Sequence, residues 1–112
     1  MKVVQQEKKG ILICYIKGEI NIDTVSQLKK VFKEIVDKAY DKVLLNFEKV
    51  EYVDSVGIAS LVELSKKLRD KGGLVFLSNL SATLRPIFSI TKLEDMVKIY
   101  EREEEALKYL SG

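Results

Sequence analysis

The run Val43-Leu44-Leu45-Asn46-Phe47, the segment Glu48 to Val53, and then Asp54-Ser55-Val56-Gly57-Ile58 decide the fold. The first five residues are apolar but for Asn46, too short for a helix and rich in strand formers, and predict a buried strand. Glu48 to Val53 reads as a polar connector. Beyond Asp54, Ile58, Leu61, Leu64 and Leu68 recur at helical spacing until Gly72-Gly73 ends the pattern. Leu74 to Leu77 then predicts another short strand. Two strands joined by a helix of this length pair in parallel through a right-handed crossover.

Working outward, Val3 to Lys8 reads as a weak strand and Lys9-Gly10 as a turn. Ile11 to Lys17 reads as a strong strand ending at Gly18, so the chain begins as an antiparallel hairpin. Val25, Leu28, Phe32, Ile35, Val36 and Ala39 lie on one face of a helix whose first amides Asp23 or Thr24 could cap. Downstream, a short helix is expected from about Thr83 to Ile90, with Pro86 in its first turn, where a missing N–H costs little. Met96 to Tyr100 predicts the last strand. Glu103 to Leu110 predicts a final helix, with three glutamates at its favourable end. The order is ββαβαβαβα. The expected class is α/β, one domain over residues 1–112, with a small mixed sheet parallel except for its first strand. The near-continuous apolar strands point to cover over much of both sheet faces.

The 112 residues are 46% apolar and 32% charged, a balance that buries a single core. The formal net charge is +2, and Lys29, Lys30, Lys33 and Lys38 alternate with Glu34 and Asp37. That pattern is a solvated helix face, not a nucleic-acid stripe. One cysteine, Cys14, lies inside an apolar run, so no disulfide framework exists. No apolar run approaches the length of a membrane span, and Met1 to Glu7 lacks the core of a signal peptide. These features lead to the expectation of a cytoplasmic protein without nucleic-acid or membrane partners.

Much chemistry is excluded. The absence of histidine removes Ser-His-Asp and Cys-His systems, and one cysteine without histidine leaves no plausible zinc set. Neither phosphate-binding glycine fingerprint is present. Ser55 is not a nucleophile elbow, because Val53 stands where that turn needs glycine. Asp54 sits where a strand exits an α/β sheet, as a phospho-accepting aspartate does in receiver domains. Such domains also hold magnesium with an acidic pair on their first parallel strand, and here that strand ends Ile16-Lys17-Gly18-Glu19.

Asp54-Ser55-Val56-Gly57 admits two readings. In one, Asp54 or Ser55 caps a helix and Gly57 permits close packing. In the other, Ser55 is exposed at a helix start, where a phosphate meets free N–H groups and adds about two negative charges beside Asp54. A docking surface would then carry a strongly hydrated, repulsive group while the fold stayed intact.

Over nearly its whole length the chain resembles the anti-sigma-factor antagonists, the bacterial STAS domains. The resemblance is carried by Gly18-Glu19-Ile20 with Asn21 and Thr24, by Val43 to Phe47, by Tyr52-Val53-Asp54-Ser55-Val56-Gly57-Ile58, and by Arg85-Pro86-Ile87-Phe88 with Leu93 and Val97 to Tyr100. The chain departs from the family in having Asn21 where aspartate is frequent and Val56 where a hydroxyl residue is frequent. The resemblance implies a protein that is not an enzyme, has no catalytic residues and needs no cofactor or metal. It implies phosphorylation at Ser55, and a partner-binding surface of Asn21, Asp23, Thr24, Asp54, Ser55, Val56, Gly57 and Ile58. The implied partners are an anti-sigma factor that is a histidine-kinase-like serine kinase, and a PP2C-type phosphatase, with the chain itself a monomer or weak dimer. The unphosphorylated form would bind the anti-sigma factor and release a sigma factor. The same family resemblance leaves open a structural subunit of a stress-signalling or lipid-transport assembly, without phospho-switching.

Overall fold

A computed structural model describes residues 1–111. Strands β1 (Lys2–Lys8) and β2 (Ile11–Ile20) form an antiparallel hairpin. Its two-residue turn has Lys9 at φ 53° and Gly10 at φ 80°. Two positive φ values match the right-handed twist of the flanking strands. Helix α1 (Val25–Asp37), strand β3 (Lys42–Val53), helix α2 (Ser55–Asp70) and strand β4 (Leu74–Ser78) follow. Helix α3 (Arg85–Ile90), a 3₁₀ turn (Leu93–Asp95), strand β5 (Lys98–Tyr100) and helix α4 (Glu103–Ser111) complete the chain.

The sheet order is β1-β2-β3-β4-β5, with every pair after the first parallel. Right-handed crossovers that always step the same way must lay their helices on one face. Accordingly, Leu28, Phe32 and Ile35 of α1, Leu61, Leu64 and Leu68 of α2, and Phe88 of α3 share one core. That core takes Leu12, Cys14 and Ile16 from β2, Val43, Leu45 and Phe47 from β3, and Val75 and Leu77 from β4. The alternate residues Ile11, Ile13, Leu44 and Phe76 meet Ala106 and Leu110 of α4 on the opposite face. Both faces are therefore covered, unequally. The α4 face also carries a polar row in register, Tyr15, Asn46, Ser78 and Tyr100. Glu103 docks there, accepting from Asn46 Nδ2 at 3.0 Å, with Lys8 Nζ at 3.9 Å.

Several boundaries differ from the sequence expectations. Glu48 to Val53 is not a connector but the second half of β3. Its exposed side chains resemble a loop, yet Val50 and Val53 are buried and the backbone is paired with β2. β2 in turn runs past Gly18 to Ile20, because Gly18 at φ 106° carries the strand through an irregularity. Neither Asp23 nor Thr24 caps α1 with its side chain. Instead Asn21 Oδ1 accepts from the N–H groups of Asp23 (2.9 Å) and Thr24 (3.1 Å), and Asn21 O accepts from Val25 N (2.8 Å). α3 begins at Arg85, not Thr83, after a turn in which Ser81 O accepts from Leu84 and Arg85 N–H. β5 begins at Lys98, since the 3₁₀ turn still claims Met96 and Val97 through Leu93 O.

Cys14 is completely buried among apolar side chains, and this burial pushes its thiol from 9.0 up to about 12. A group whose folded value is raised contributes stability in full below its unfolded value and loses it as pH climbs toward the folded one. The loss therefore begins near pH 9 and amounts to about 2 kcal/mol by pH 10.5. Tyr15, raised to about 12 chiefly by burial and then by the Glu103 carboxylate, acts in the same direction from about pH 10. Urea unfolding at pH 7 and pH 10.5 measures this. Wild type is expected to lose markedly more stability between the two than Cys14→Ala does, and equal losses would refute the assignment to the thiol.

Candidate functional site

The carboxyl ends of the parallel strands bring the β2–α1 and β3–α2 junctions together. Asp54 N–H donates to Ile20 O at 3.0 Å, tying the exit of β3 to the end of β2. Asp54 has extended backbone (φ −91°, ψ −177°) and is the N-cap of α2. Its Oδ1 accepts from Val56 N and Gly57 N, each at 3.0 Å, and its Oδ2 accepts from Ile22 N at 3.0 Å. One carboxylate thus satisfies two of the free amides of a helix start and also clamps the neighbouring loop.

Ser55 is the first residue of α2 and is exposed. Its hydroxyl makes no hydrogen bond to any other described residue, so it is free to meet solvent or another molecule. Two turns of sequence fix where it stands. Asp54 anchors the residue before it, and Gly57 lets α2 approach the sheet closely. A Cβ on Gly57 would lie 2.7 Å from Ile20 Cγ2, 2.8 Å from Val53 Cγ1 and 3.2 Å from Ile20 O. The glycine is therefore required for close approach and not for an unusual φ.

The loop beside Ser55 is equally determined. Thr24 Oγ1 donates to Glu19 O at 2.8 Å and accepts from Asn21 N at 3.0 Å. With Asn21 Oδ1 already engaged, both side chains are spent on the shape of the loop. An amide oxygen serves this turn as well as a carboxylate would. Residues 18–28 and 50–62 contain Glu19, Asp23, Glu51 and Asp54 and no lysine or arginine. The candidate site is a hydrogen-bonded corner with an exposed hydroxyl at a helix start, and Lys17, Lys29 and Lys49 lie just outside these two segments.

The structure thus brings together the two groups singled out in the sequence, residues 21–24 and 54–58. It places them differently with respect to solvent. Asp23 and Ser55 are exposed, Val56 and Ile58 are partly buried, and Gly57 is buried. Ile22, which lies between two of the singled-out residues, is 71% exposed. Its apolar character predicts burial, so only the loop's geometry reveals it.

The sequence profile of the STAS domain matches residues 2–106. The chain belongs to the STAS domain family, among the anti-sigma-factor antagonists. It is 34% identical over 105 residues to the TM1081 homolog of Thermotoga neapolitana, covering 93% of each chain. It is 30% identical over 101 residues to the anti-sigma-B factor antagonist of Bacillus subtilis, covering 90% of this chain and 91% of that one. Among solved structures, SpoIIAA in its unphosphorylated form superimposes with a TM-score of 0.77 at 20% identity, with 99% of each chain covered. That likeness establishes the fold, a mostly parallel five-stranded sheet with four helices. As a STAS-family anti-sigma-factor antagonist, the chain belongs to a group of regulatory binding proteins. No helix among the described residues is long and apolar enough to cross a membrane.

Proposed function

We propose that the unphosphorylated chain binds an anti-sigma factor, a serine kinase of the histidine-kinase-like class, through the corner formed by residues 21–24 and 54–58, and so frees a sigma factor. Phosphorylation of Ser55 ends the binding, and a PP2C-type phosphatase restores it. The observation that carries this reading is the exposed, unbonded Ser55 hydroxyl on a helix start held in place by Asp54. A kinase can reach that oxygen without unfolding the chain. The phosphate then stands at the positive end of α2, which favours it locally. It also stands beside the Asp54 carboxylate, and an approaching protein must desolvate both charges.

The test is phosphorylation of the whole chain by its cognate anti-sigma factor with ATP, followed by mass spectrometry. One phosphate is expected, on Ser55, and none on Ser55→Ala. Phosphate absent, or placed on another residue, would overturn the switch. Stable co-purification with a larger assembly, unaffected by Ser55→Asp, would favour the structural-subunit reading instead.

A further inference from the structure

We propose that Ile22 is the apolar anchor of this docking corner and that its partner offers an apolar socket rimmed by lysine or arginine. The inference deepens the function proposed above and rests on it. Single exposed apolar residues are ordinary on protein surfaces, so exposure at 71% does not by itself assign a role. What sets Ile22 apart is how firmly it is presented. Its own N–H is held by Asp54 Oδ2 at 3.0 Å. On one side Asn21 N–H is held by Thr24 Oγ1 at 3.0 Å, and on the other Asp23 N–H is held by Asn21 Oδ1 at 2.9 Å. Three consecutive amides are thus fixed by side chains, while the isoleucine projects into solvent. A rigidly presented apolar side chain loses little further freedom on binding, which is where anchor residues gain their affinity.

The chemistry of the partner follows from the surroundings. Glu19, Asp23, Glu51 and Asp54 occupy the two segments that meet here, and neither segment contributes a cation. A partner surface with acidic groups would be repelled, and a purely apolar one would leave the carboxylates of Glu19, Asp23 and Glu51 without a cation, that of Asp54 being already held by three N–H groups. A basic rim around an apolar socket answers both, and adds attraction during the encounter. Ile90, 80% exposed at the end of α3, lacks any such setting and serves as the control.

Calorimetric titration of the whole chain against its cognate anti-sigma factor tests this. Ile22→Ala is expected to weaken binding about thirtyfold, the ordinary effect of losing a central anchor. Ile90→Ala is expected to leave binding unchanged. Raising salt from about 0.05 to about 0.3 M is expected to weaken wild-type binding severalfold, as screening removes the attraction. Ile22→Ala should melt as wild type does, because the side chain it shortens is exposed. If wild type binds but Ile22→Ala binds equally well, or binding tightens with salt, the anchor is overturned while the anti-sigma reading stands. If wild type does not bind the anti-sigma factor, that reading fails and the anchor with it.

Discussion

Ser55→Asp is expected to lose about a hundredfold or more in affinity for the anti-sigma factor while melting at the wild-type temperature or slightly above it. The two halves of this expectation have separate physical origins. A carboxylate at the first position of α2 meets the partial positive charge of the helix start, worth a few tenths of a kcal/mol in favour of the fold. Ser55 touches nothing that the longer side chain would displace, since its hydroxyl is exposed and unbonded. In the complex the same carboxylate has to lose water beside the Asp54 carboxylate, which already caps the helix. An unpaired charge buried at an interface costs about 3 kcal/mol, which is the hundredfold. Titration against the anti-sigma factor, with a thermal melt of the same sample, separates the two. Wild-type affinity in Ser55→Asp would remove the electrostatic basis of the switch. Lost affinity together with a collapsed melting temperature would show damage to the fold in place of a switch.

Gly57→Ala should do the reverse, altering the fold and leaving the hydroxyl chemically untouched. An alanine at an exposed helical position stabilises by about 1 kcal/mol relative to glycine. Here the new methyl would fall 2.7 Å from Ile20 Cγ2 and 2.8 Å from Val53 Cγ1, both on buried, β-branched side chains at the ends of β2 and β3. Such side chains are stiff at χ1 and have no void to rotate into, and Ile20 O at 3.2 Å blocks the remaining direction. α2 must therefore lift away from the sheet. Overpacking of this kind costs about 3 kcal/mol, which exceeds the helix-propensity gain and leaves a net loss of about 2 kcal/mol. For a domain of this size that lowers Tm by about 8 °C. A variant as stable as wild type would mean that the close approach of α2 to Ile20 and Val53 is not needed.

The two substitutions lie two residues apart and act through different parts of the molecule, which bears on what could be read in advance. The βαβ order was legible because helices and strands alternate cleanly in apolar period, and because Gly72-Gly73 and Lys9-Gly10 punctuate the chain. The second half of β3 was not legible, since four of its side chains face solvent and only pairing with β2 makes it a strand. The site motif stood out as Asp-Ser-Val-Gly, yet it gave no means of dividing its residues between scaffold and surface. The family resemblance places Asn21 and Thr24 among the partner-binding residues, whereas their side chains are consumed in holding a loop. The exposure of Ile22 is not legible, because an isoleucine in a polar segment carries no periodic signal.

By itself the sequence determined the element order, the α/β class, the closeness of Asp54 and Ser55 to a helix start, and the absence of the usual catalytic and nucleotide-binding motifs. These follow from local patterning and residue chemistry, which do not depend on what the chain later packs against. Only the tertiary structure decided that three helices share one sheet face and α4 takes the other. It also decided that Asp54 joins two loops 32 residues apart, and that Ser55 and Ile22 face solvent together. Those features depend on strand register and on hydrogen bonds between distant segments, which arise only once the sheet has assembled.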